Sequence, residues 1–110
     1  MSQGPLLLES ALPDFALELR RLLEREDRAD LARQVAGLRL VDRCRCGDDF
    51  CATFYTASKR GGAWGPDHET IVLPSADSGM INIDLVAGRI VEVEVLYRED
   101  LRAVLATLFA

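Results

Sequence analysis

Three cysteines fall within the run Arg43-Cys44-Arg45-Cys46-Gly47-Asp48-Asp49-Phe50-Cys51, and the 110-residue chain has no others. A thiolate is both a strong nucleophile and a good ligand for soft and borderline metal ions, so this run is where chemistry is expected first. An odd number of cysteines crowded into one window argues against the disulfide framework of small secreted proteins.

What the thiols do depends on the parity of the turn between them. A three-residue loop of Gly47, Asp48 and Asp49 sets Cys46 opposite Phe50 and Cys44 opposite Ala52. Cys51 then turns to the other side with Arg43 and Arg45. A loop of two or four residues instead sets Cys46 opposite Cys51 and puts all three sulfurs on one face. The three-residue loop gathers Cys44, Cys46, Phe50 and Phe54 into one apolar layer, and it is the expected register. On it, Cys44 and Cys46 are small buried hydrophobes, as free cysteine commonly is.

Three chemistries compete with that reading. Zinc held by Cys44, Cys46 and Cys51, with His68 or an Asp as fourth ligand, would give the tetrahedral sulfur and nitrogen set that zinc prefers. Nucleophilic catalysis by Cys51 would need its thiol ionised by Arg43, Arg45 or His68. His68 is the only histidine, and no Asn or Asp at a recognisable spacing orients it, so a triad lacks its third member. A Cys46–Cys51 disulfide requires the one-face register and an oxidising compartment.

A second set of candidates lies on exposed strand positions and a loop. Asp84, Glu92 and Glu94 alternate with apolar residues near the end of the chain, and Arg39, Arg43 and Arg45 alternate earlier. Paired across a wet sheet face, these charges contribute a few tenths of a kcal/mol each. Left unpaired, they polarise the face for a charged protein partner. Trp64, the only tryptophan, sits in the Gly- and Pro-rich segment 57–68 and is expected to tuck against the sheet rather than stand out as a binding anchor. Arg43, Arg45, Trp64, Asp84, Glu92 and Glu94 are therefore the candidate partner-contacting residues.

These residues need elements to hold them. Gly79 to Tyr97 alternates Ile81, Ile83, Leu85 and then Val91, Val93, Val95 with polar residues, which predicts a hairpin with one buried face. A three-residue loop, Val86-Ala87-Gly88, is expected to pair Leu85 with Arg89, Ile83 with Val91 and Ile81 with Val93. Upstream, residues 1–9 read as a flexible lead with Gly4-Pro5 as a breaker. Leu12, Phe15, Leu19, Leu22 and Leu23 predict a helix over 12–25, with Ser10 as cap and Pro13 in the first turn. The apolar stripe falls out of phase across 24–28 and resumes at Leu31 and Val35, predicting a second helix over 28–36. Strands are expected at 38–46, 50–56 and 70–73, the last ended by Pro74, with a turn at 75–78. Leu101, Val104, Leu105 and Leu108 give a C-terminal helix stripe.

The fold class is thus α+β in a single domain, residues 1–110. A mainly antiparallel meander of about five strands carries two N-terminal helices and one C-terminal helix on one face. Its two edge strands offer a route to a homodimer. The net charge of −5 divides as −2 over residues 1–36, +2 over 37–65 and −5 over 66–110. An acidic chain repels a phosphate backbone, so nucleic acid is not an expected partner. No apolar run approaches the ~20 residues of a membrane span. Leu6-Leu7-Leu8 has no basic flank, so the cytoplasm is the expected compartment.

The Cys-x-Cys-Gly segment, followed by Gly88-Arg89-Ile90-Val91-Glu92-Val93-Glu94-Val95-Leu96, resembles small bacterial domains that carry a C-x-C-G-x-x-x-C-like hairpin ahead of an alternating strand pair. Cys46 and Cys51 here enclose four residues, Gly47 to Phe50. The resemblance implies a bacterial source and an accessory or protein-binding role, and no activity. The expected function is a non-enzymatic protein-interaction or regulatory module, of immunity type included. A zinc-binding hairpin domain is the alternative, and a cysteine-dependent enzyme is the third reading.

Overall fold

A computed structural model describes residues 6–58, 64–73 and 79–109. The lead residues 1–5, Lys59 to Ala63 of the long loop, and the turn expected after Pro74 lie outside them. Strand β1 (Leu6–Leu7) runs into helix α1 (Leu8–Ala11), where a featureless lead was expected. Helix α2 (Pro13–Arg25) follows at once, with Pro13 in its first turn as predicted. Ser10 caps nothing: it lies inside α1, and the cap position of α2 is Leu12. Phe15, Ala16, Leu19, Leu22 and Leu23 are buried along one stripe of α2.

The expected break after α2 is real. Asp27 adopts a left-handed φ of 60°, and Arg28 N–H turns back to the Leu23 carbonyl, the closing bond that ends many helices. Helix α3 (Ala29–Gln34) then continues into a 3₁₀ turn, Val35–Gly37. Next, β2 (Arg39–Leu40) pairs with β1, and β3 (Asp42–Arg43) starts the main sheet. The main sheet adds β4 (Phe54–Tyr55), β5 (His68–Val72), β6 (Met80–Val86) and β7 (Arg89–Leu96), and helix α4 (Glu99–Leu108) closes the chain.

All strand pairs are antiparallel, and the main sheet runs in the order β3-β4-β7-β6-β5. This is not a simple meander, because β4 lies beside β7 and the chain crosses to the far edge for β5. One sheet face, bearing Phe54, Ile81, Ile83, Leu85, Val93 and Val95, is buried with the apolar stripes of the helices. Phe15 of α2 meets Phe54 of β4 edge to face, with centroids 5.9 Å apart.

The β6–β7 register differs from the expected one. The loop has two residues, Ala87 and Gly88, at φ 51° and 80°, and Val86 pairs with Arg89. Two successive positive φ values make the turn whose twist suits a hairpin. Leu85 then pairs with Ile90, and the ladder resumes with Asp84 opposite Glu92 and Ile83 opposite Val93, not Val91. Val91 is the extra residue of a β-bulge, which restores the parity that a two-residue loop alone would have reversed. Apolar side chains consequently stay inside, and Glu92 and Glu94 stay on the outer face.

Candidate metal centre

The β3–β4 connection also departs from the expected register. Asp42 pairs with Tyr55 and Arg43 with Phe54, and Cys44 N–H donates to the Thr53 carbonyl at 2.8 Å. Continued along the hairpin, that register brings Cys46 and Cys51 to the same level. The four residues between them form the turn, with Gly47 at φ 86° and Cys51 N–H bonded to the Asp48 carbonyl. The apolar layer proposed for Phe50 is not formed. Phe50 is exposed and stacks on exposed Tyr97, their centroids 5.5 Å apart. The opposite parity puts the three sulfurs together instead, all within 4.8 Å of one another.

Segment 50–56 is held against β7 by Tyr97 N–H to Phe50, Ala52 N–H to Val95 and Thr56 N–H to Val91 carbonyls. Thr53 is buried between them, its hydroxyl oxygen accepting the Val95 N–H at 3.0 Å. Helix α4 forms the opposite wall. Leu101 and Leu105 anchor it in the core, and Arg43 Nε reaches across to the Phe109 carbonyl at 2.8 Å. Between hairpin and helix lies a pocket of about 200 Å³, lined by all three cysteines, Arg43, Asp48, Thr53, Glu99 and Arg102 among others.

The thiols are unequal. Cys44 and Cys51 are half-buried and Cys46 is exposed. Burial works against ionising Cys51, but the Thr53 hydroxyl and N–H, with the two neighbouring thiols, outweigh it and hold this thiol below the ordinary range. The Asp48 N–H favours the Cys46 thiolate, yet Cys51, burial and Cys44 together push that thiol up to about 11. One sulfur of the cluster therefore takes the first negative charge at the expense of the other.

His68 is not brought to this cluster. It stands on β5, at the far edge of the sheet from β3, with β4, β7 and β6 between them. At ~4.8 Å per strand the separation is many times a coordination bond. Its Nε2 lies 2.7 Å from Asp84 Oδ1, which also accepts the Thr70 hydroxyl at 2.7 Å.

The other candidates are engaged on the outer sheet face. Asp84 and Glu92 are directly opposite, an unfavourable pairing of like charges that their neighbours relieve. Trp64 is half-buried, its ring 6.4 Å from that of Tyr55 and its indole N–H bonded to Glu92 Oε1 at 3.0 Å. Asn82 donates to Glu94 at 2.7 Å. Arg45 pairs with Asp42 rather than with the β6–β7 carboxylates. Against desolvation, the Arg43 N–H and the Arg45 guanidinium hold the Asp42 carboxyl below its usual range.

Sequence reasoning missed Thr53, Glu99 and Arg102 as companions of the cysteines. Of the α4 stripe, Leu101 and Leu105 turn inward while Val104 and Leu108 stay exposed, and the stripe did not show which strand the helix covers. No protein-family model, curated protein or solved structure matches this chain. Among the described residues, no helix is long and apolar enough to cross a membrane.

Proposed function

We propose that this protein is a metal-binding domain that holds a zinc ion through the thiolates of Cys44, Cys46 and Cys51. The observation that carries the reading is the mutual approach of the three sulfurs to within 4.8 Å. Tetrahedral zinc with bonds of about 2.3 Å sets its sulfurs roughly 3.8 Å apart, so a contraction of ~1 Å closes the set. Side-chain rotation at an exposed turn provides that much. Ligand chemistry agrees, because thiolates select zinc and other soft or borderline ions over magnesium or calcium.

Protein docking on the outer sheet face draws less support, since its carboxylates are engaged within the chain. Cysteine catalysis draws less again, with the one imidazole held across the sheet by Asp84.

The test is metal content and cobalt(II) substitution on the purified, reduced chain. One ion per chain is expected, with sulfur-to-cobalt charge-transfer bands that vanish when Cys44, Cys46 and Cys51 are replaced together by serine. Sub-stoichiometric binding, or bands that survive in the serine variant, would refute the assignment.

A further inference from the structure

Three thiolates leave zinc one ligand short of the four that closed sites supply. Among the described residues only Cys44, Cys46 and Cys51 have donor atoms already gathered. The wall facing them is α4, through Glu99, Arg102, Ala103, Leu105 and Ala106. Building on the zinc reading, we propose that Glu99 supplies the fourth ligand, so that metal binding fastens the C-terminal helix to the cysteine hairpin.

Four observations converge on this residue. Glu99 lines the same pocket as the three cysteines. The next residue, Asp100, is committed elsewhere, its carboxylate bonded to Arg98 through both oxygens. Glu99 is exposed and has no hydrogen-bond or ion-pair partner among the described residues, so nothing need be broken to turn it inward. The backbone beneath it is already fixed, because Leu101 and Leu105 are buried and Arg43 ties Phe109 to β3.

Asp48 is the rival carboxylate on the pocket wall. Its backbone N–H favours the Cys46 thiolate, and the Asp48→Asn variant separates the two carboxylates. Charge also fits the closed set. Three thiolates and a carboxylate around a dication leave an excess of negative charge, and Arg43 and Arg102 on the same walls offset it.

The experiment is a cobalt(II) and zinc(II) titration of the full chain and of Glu99→Gln, Glu99→Cys and Asp48→Asn, each checked for native far-UV circular dichroism. Glu99→Gln is expected to weaken zinc at least tenfold. Glu99→Cys is expected to keep tight binding and to add a fourth thiolate's charge-transfer absorbance. Asp48→Asn should bind as the unaltered chain does. Wild-type affinity in Glu99→Gln, no added absorbance in Glu99→Cys, or weakening confined to Asp48→Asn would each overturn the proposal while leaving the three-thiolate site standing. Failure of the unaltered chain to bind either ion would remove both.

Discussion

Cys46 is the exposed thiol and Cys51 the half-buried one, so access and ionisation make opposite forecasts about their reactivity. The thiolate is the reacting species. Cys51 is held below the ordinary thiol range and Cys46 is pushed up to about 11. In metal-free protein near neutral pH, iodoacetamide is therefore expected to label Cys51 ahead of Cys46, read by mass spectrometry of a timed digest. Labelling in order of exposure would show that the hydrogen bonds from Thr53 do not control the site. The same asymmetry fixes the sign of the pH dependence of metal binding. Cys46 is protonated at neutral pH and must lose its proton to coordinate, so affinity falls as pH falls, by about tenfold per unit for each proton released.

Gln34 does for the β6–β7 hairpin what no residue of the hairpin does for itself. Its Nε2 donates to the Gly88 carbonyl at 2.8 Å, and its Oε1 accepts the Ile90 N–H at 2.9 Å. Ile90 sits at the bulge, where the ladder leaves groups unpaired, and Thr56 attends to the rest with bonds to Ile90 and Val91 carbonyls. Gln34→Ala is expected to lower stability by about 1–2 kcal/mol in chemical denaturation, since the partly buried Ile90 N–H loses its acceptor. A change within error would mean that water replaces the carboxamide at no cost.

The same residue explains why the hairpin's faces were legible and its register was not. Val93 and Val95 fall inside whether Ile83 opposes Val91 or Val93, so the pattern assigned their faces correctly, whereas Ile90 joins the core and Val91 becomes the bulge residue. Choosing between registers required knowing that a bulge is supported here, and that support comes from 56 residues away in sequence. The cysteine hairpin repeats the lesson. An apolar layer of Phe50 with Cys44 was a reasonable local choice, but Phe50 stacks on Tyr97 of the strand-to-helix turn instead. Turn parity there follows from pairing with β7, which no window of the hairpin contains.

None of the three cysteines belongs to the hydrophobic core. Leu19, Leu23, Leu31, Phe54, Ile83 and Val93 close it between the helices and the sheet, and the thiols stand outside at the sheet's β3 edge. A chain of 110 residues is long enough to bury a self-sufficient core. Arg98 adds a cross-tie between layers, bonding Glu18 of α2 through both terminal nitrogens while holding Asp100 at the start of α4. This sets the domain apart from zinc fingers, in which metal binding supplies the folding free energy and the apo chain is unfolded. With a strong chelator, this protein is expected to keep its far-UV circular dichroism and one cooperative thermal transition. Saturating zinc, at about 1,000 times its dissociation constant, then raises stability by up to ~4 kcal/mol through mass action alone. The gain should be absent when the three cysteines are serine. Loss of secondary structure on chelation would show instead that the core does not hold without the ion, and that the cysteine edge is a staple rather than a site carried on a finished fold.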